Sequence, residues 1–162
     1  MASTIVTFEF GDREVEVMVA PMTTLQAVLR TQLGATATKE GCRQGGCGSC
    51  TVLVDGEPMA SCLLPVEDVA GRRVTTLETI SPAEGVGPIQ QAFLDDNGFQ
   101  CGYCTPGMVM IATALLDRDP EPTTDDIKEA IAGNICRCTG YRPIVQAIED
   151  AAAARRDGAT TR

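Results

Sequence analysis

The chain has 162 residues, 44% of them hydrophobic, with 16 Gly and 9 Pro, a composition that describes one globular domain or two small ones and excludes disordered or collagen-like chains. Thirteen basic against 22 acidic side chains leave a net charge of −9, which repels a phosphate backbone and argues against nucleic acid as a partner. No window reaches the roughly 18 uncharged apolar residues of a membrane helix, and the best stretch, Val17 to Leu29, contains Pro21.

The N-terminus has no basic residue before Arg13 and carries Glu9 and Asp12, so it lacks the charged and apolar regions of an export signal, and a cytoplasmic location is expected. Thr4 to Phe10 and Glu14 to Val19 alternate apolar and polar residues around Gly11-Asp12, which predicts a β-hairpin. A helix follows, with Thr23 or Thr24 as its cap, an i, i+3, i+4 stripe of Leu25, Val28 and Leu29, and Gly34 at its end. Thr51 to Val54, Asp55-Gly56 and Pro58 to Leu64 suggest a second hairpin, and Arg73 to Leu77 one more strand.

Beyond Ser81-Pro82 the hydrophobic period changes from 2 to 3.6. Helices are expected over Pro88 to Asn97, Pro106 to Asp117, Thr124 to Ala132 and Pro143 to Arg156, with a frayed tail from Asp157. The fold class is therefore α+β, with strands wrapped on one helix over residues 1–80 and a four-helix bundle over 81–162. The boundary falls where Ser81, Pro82, Gly85, Gly87 and Pro88 cluster. Each half is small enough for a metal to contribute to its stability.

The eight cysteines divide equally between the halves. Cys42, Cys47, Cys50 and Cys62 are spaced C-x4-C-x2-C-x11-C, the opening of a plant-type [2Fe–2S] site. Such a cluster carries a double negative charge when oxidised and a triple one when reduced, and the Gly-rich loop Gly41 to Cys50 can wrap backbone N–H groups around it. Arg43 is a nearby candidate for positive charge. Cys101, Cys104, Cys136 and Cys138 are spaced C-x2-C-x31-C-x-C, each pair just ahead of a helix: Thr105-Pro106 is expected to open one, and Thr139 to Pro143 precedes the other. Two helix N-termini would then face one anionic centre.

The absence of histidine excludes mixed Cys/His zinc sites, Rieske-type centres and His-based acid–base chemistry. Buried free cysteines and disulfides both fit poorly, since each set is flanked by turn residues and the cysteine content lies below the roughly 8–10% of a disulfide scaffold. A structural zinc held by four thiolates is the stronger rival, more so for the second set than the first. No nucleotide-binding loop is present, and Gly85-Val86-Gly87 reads as a linker. Asp125-Asp126 read as helix-start residues, Glu149-Asp150 as a solvated face, and Met108 as core. No catalytic residue is assigned.

The segments Gly41 to Cys50 with Cys62, Cys101 to Met108, and Cys136 to Ile144 together resemble the iron–sulfur subunit of the molybdenum hydroxylases, the xanthine dehydrogenase, aldehyde oxidoreductase and carbon monoxide dehydrogenase family. All eight cysteine positions match, and the resemblance covers residues 4–152. It implies a β-grasp ferredoxin domain and a four-helix bundle, each with one [2Fe–2S] cluster. It further implies a large partner subunit with molybdopterin, contacted by Gln100 and Cys138, and a medium subunit with FAD, in a dimer of heterotrimers. Electrons would pass from molybdenum through the Cys101 set and then the Cys42 set to FAD, while the holoenzyme oxidises or hydroxylates an aldehyde, N-heterocycle or similar small molecule with water as oxygen source. The Gly45-Gly46 pair looks more like the xanthine and aldehyde branches. Two other readings stand beside this one: a stand-alone two-cluster ferredoxin-type electron carrier, and a zinc-binding interaction module.

Overall fold

The computed structural model describes residues 3–159. Strands β1 (Thr4–Phe10) and β2 (Arg13–Val19) pair antiparallel from Thr4↔Val19 to Phe10↔Arg13, and Gly11 at φ +63° makes the turn between them. The period of two is realised: Val6, Phe8 and Phe10 are buried while Ile5 and Glu9 face out. Helix α1 (Leu25–Thr31) is capped by Thr24, whose hydroxyl accepts from the Ala27 N–H at 3.3 Å, and it buries Leu25, Val28 and Leu29. Strands β3 (Thr51–Val54), β4 (Glu57–Ala60) and β5 (Arg73–Thr75) complete a mixed sheet in the order β2-β1-β5-β3-β4, with β5 parallel to β1 and antiparallel to β3.

Two strands end earlier than their sequences suggest, each for a local reason. β4 stops at Ala60 because a turn follows, in which the Leu63 N–H donates to the Ala60 carbonyl and the Ser61 hydroxyl to the Cys50 carbonyl at 2.7 Å. That turn carries Cys62 back beside Cys50. β5 stops at Thr75 because Thr76 caps a short helix, α2 (Leu77–Ile80), its N–H donating to the Thr79 hydroxyl at 3.0 Å. A 3-10 turn over Val66–Val69, with both valines in the core, has no periodic signature in the sequence.

The helical half consists of α3 (Pro88–Asp95), α4 (Thr105–Arg118), α5 (Thr124–Ile131) and α6 (Arg142–Ala159). They share one core, which includes Phe93, Met108, Ile127, Ile144 and Ile148, and Leu77 and Ile80 of α2 pack on it. Each such side chain contributes roughly 1.5–3 kcal/mol by leaving water. α5 opens with a capping box: the Thr123 hydroxyl accepts from the Asp126 N–H at 3.2 Å and the Asp126 carboxylate accepts from the Thr123 N–H at 2.9 Å. α4 begins one residue earlier than expected, with Cys104 in the capping position and Pro106 in the first turn. α6 is helical as far as Ala159, and Arg155 reaches Asp117 of α4 at 2.7 Å while Arg156 reaches Glu121. The rest of the expected tail lies outside the described residues.

All four residues of β3 are buried, because the strand has α1 and its core on one side and α4 against it on the other. The sheet and the helical half are thus in direct contact, and the cysteine loops lie along that contact.

Candidate metal centres

Three cysteines of the first set, Cys42, Cys47 and Cys50, sit in a long loop between α1 and β3 that is held by helix side chains, and Cys62 joins them from the turn after β4. Arg30 donates to the carbonyls of Thr36 and Thr38 at 3.0 and 2.9 Å, Gln26 donates to that of Lys39 at 2.8 Å, and the Lys39 N–H closes the loop on the Ser49 carbonyl. Within it, backbone donors turn inward: the Gln44 N–H lies 3.4 Å from the Cys42 sulfur. That contact, with the Cys47 thiol and the Gly46 and Cys47 N–H groups, pulls the Cys42 thiol down to about 7. Burial, with the neighbouring Cys62 thiol, pushes Cys50 up to about 11. Gly41 has no room for a side chain, since a Cβ there would stand 2.7 Å from the Cys47 sulfur. Arg43 is exposed and paired with Glu40, so its charge is already partly answered.

The second set joins the loops that precede α4 and α6. The Cys101 and Cys138 sulfurs are 3.7 Å apart and exposed, whereas Cys104 and Cys136 are buried. Burial and the adjacent Cys136 thiol push Cys104 up to about 12. For Cys136 burial acts upward, but the Thr139 hydroxyl at 3.1 Å and backbone N–H groups outweigh it and the pKa is lowered. The Cys101 thiol raises that of Cys138. Tyr141, at φ +68°, ties the loop: its hydroxyl accepts from the Cys136 N–H at 2.9 Å and donates to the Asn134 carbonyl at 3.3 Å.

The structure pairs the cysteines within each set, Cys42 with Cys47 and Cys50 with Cys62, then Cys101 with Cys138 and Cys104 with Cys136, and in the second set the two pairs also lie within reach of each other's charge. Two thiolates sharing one tetrahedral metal at about 2.3 Å stand about 3.8 Å apart, close to the Cys101–Cys138 separation. Two pairs of thiols suit a dinuclear centre, in which each metal takes one pair. The Gly-bounded loop and the helix N-terminus at Cys104 suit its negative charge. The residues present fit a [2Fe–2S] cluster in both places.

Contacts between the sets were not legible in the sequence. The Ile135 N–H donates to the Cys47 carbonyl at 3.0 Å, and the Tyr103 hydroxyl donates to the Glu40 carbonyl at 2.8 Å. Both join a residue beside a cysteine of one set to the loop of the other. On the outer side Gln100, Cys101 and Cys138 are exposed, and nearby Val86, Leu94, Phe99 and Pro106 line an apolar depression of ≈ 290 Å³. No helix is long and apolar enough to cross a membrane, among the described residues.

Comparison with known proteins agrees with this chemistry. Residues 3–99 match the family described as 2Fe-2S iron-sulfur cluster binding domain, and residues 76–149 match the [2Fe-2S] binding domain family. A nicotinate dehydrogenase subunit from Pseudomonas putida is 42% identical over 153 residues, covering 94% of this chain and 98% of that protein. Xanthine dehydrogenase/oxidase of Rattus norvegicus is 42% identical over 90% of this chain, which spans only 12% of that longer protein. The crystal structure of quinoline 2-oxidoreductase from Pseudomonas putida 86 superimposes with a TM-score of 0.91 at 39% identity, covering 96% of this chain and 98% of the matched one. Two family matches that together span residues 3–149, near full-length relatives and eight cysteines gathered in four pairs lead to one conclusion: the chain belongs to the iron–sulfur subunits of the molybdenum hydroxylase family and forms part of an oxidoreductase.

Proposed function

We propose that this chain relays electrons through two [2Fe–2S] clusters inside a multisubunit molybdenum hydroxylase, from a molybdopterin site in a large subunit to FAD in a medium subunit. The observation that carries the reading is the pairing of thiols within each set, with the two sets in contact through the Ile135 to Cys47 hydrogen bond. In this reading Cys42, Cys47, Cys50 and Cys62 hold one cluster in a β-grasp domain, near residues 1–80. Cys101, Cys104, Cys136 and Cys138 hold the other in a four-helix bundle, near 81–162. The packing of Leu77 and Ile80 on the helical core favours a boundary a few residues earlier than 80, at the start of α2. When bound, a [2Fe–2S] cluster supplies a one-electron donor and acceptor site.

The chain's own residues supply position and field. The exposed pair Cys101 and Cys138, with Gln100, faces outward where a pterin-bearing partner would dock, and the apolar depression beside it suits such a contact. The buried pair Cys104 and Cys136 lies inward, with Ile135 against Cys47. That gradient supports an order from the outer pair to the first set. The near full-length relatives belong to nicotinate and quinoline oxidoreductases, which favours an N-heteroaromatic substrate for the holoenzyme over an aldehyde.

The test is metal analysis with spectroscopy of the anaerobically purified chain or complex. About four iron and four acid-labile sulfide per chain and two distinct EPR signals on reduction are expected. Stoichiometric zinc would refute the reading.

A further inference from the structure

Asn134 is a buried polar residue, 2% exposed, with no charge and no cysteine chemistry, and it lies where the two halves meet. Its side chain occupies space left by two glycines on opposite sides. A Cβ on Gly48, which has φ +70°, would stand 1.7 Å from the Asn134 Oδ1, and a Cβ on Gly107 of α4 would stand 2.8 Å from its Nδ2 and 2.4 Å from the Gly48 carbonyl oxygen. The Thr51 hydroxyl of β3 lies 2.7 Å from the Gly48 carbonyl and 3.3 Å from the Asn134 amide. The hydroxyl donates to both in a three-centre bond whose shorter arm is the Gly48 carbonyl, and the buried Asn134 Nδ2 has no hydrogen-bond partner among the described residues. The backbone of Asn134 is fixed as well, its N–H on the Ile131 carbonyl at 2.9 Å and its carbonyl under the Tyr141 hydroxyl.

We propose that Asn134 is a positioning residue that sets the register between the two cysteine sets. The wedge of its side chain among Gly48, Thr51 and Gly107 holds the next residue, Ile135, with its N–H on the Cys47 carbonyl, and Ile135 is bonded directly to Cys136. A shift of this wedge changes the separation of the two sets without touching a thiol. The proposal rests on the two-cluster reading for its functional consequence, and on the contacts above for its structural one.

The test uses the full chain in its complex with Asn134→Ala. In the reduced wild-type protein the two paramagnetic centres, joined through the Ile135 to Cys47 hydrogen bond, should split each other's EPR signals. Asn134→Ala should keep the full spin count of both centres while the splitting falls at least twofold, and hydrogen–deuterium exchange at the Ile135 amide should quicken at least tenfold. Unchanged splitting and unchanged exchange in Asn134→Ala would overturn the proposal. Should that variant lose a centre, exchange at Ile135 in the full chain without clusters decides in the same way. Zinc or a single EPR signal in the wild-type protein would instead overturn the two-cluster reading, and the exchange result would still judge Asn134.

Discussion

Gly107→Ala separates local helix propensity from the packing of the two halves. Gly107 lies in the first turn of α4, where alanine would by propensity alone be favoured by roughly 1 kcal/mol. The added Cβ would stand 2.4 Å from the Gly48 carbonyl oxygen and 3.4 Å from its carbon. Neither partner is a flexible side chain, so α4 and the loop after Cys47 must separate. Overpacking of this kind costs roughly 1–3 kcal/mol, and contact with backbone places it in the upper part of that range. The net effect is a destabilisation of about 1–2 kcal/mol, a fall in Tm of roughly 2–8 °C for a chain of this size. Gly133→Ala is the control, because no atom lies within 4 Å of the Cβ it would carry. Calorimetry of the full chain should show a lowered Tm for Gly107→Ala and an unchanged one for Gly133→Ala. A Gly107→Ala protein as stable as wild type would refute the close approach of α4 to Gly48.

Cys47→Ser and Cys138→Ser should each abolish one EPR signal and leave the other, because the link between the sets runs through the Cys47 backbone and not its thiol; joint loss of both signals in both variants would contradict this assignment of ligands. Ile148→Ala, at the centre of the helical core, should cost about 2–5 kcal/mol in urea unfolding, and a cost below about 1 kcal/mol would show that α6 is loosely packed. The Thr123 hydroxyl and N–H hold the Asp126 carboxyl below its ordinary value, so its contribution to stability is full above about pH 4 and is lost as pH falls through the lower folded-state value. Asp126→Asn should therefore be less stable than wild type at neutral pH and approach it near pH 2 in urea midpoints; a constant gap would refute the capping box as the cause.

The eight cysteines, their two spacings and the change of hydrophobic period after Ser81 contain nearly everything needed to read the chain as an iron–sulfur protein of two unlike halves. Those signals are local: a strand's alternation and a helix's stripe depend on neighbours in sequence, and ligand spacing is set by loop length. The short β4 and the α2 turn depended on partners elsewhere, namely the Cys50 carbonyl for Ser61 and the helical core for Leu77. The division of each set into pairs, the bond from Ile135 to Cys47, and the seat of Asn134 between Gly48 and Gly107 came only with the tertiary structure. A buried asparagine reads as an ordinary turn residue until two glycines, 48 and 107, are brought against it, because steric complementarity between segments far apart in the chain leaves no periodic trace in either one.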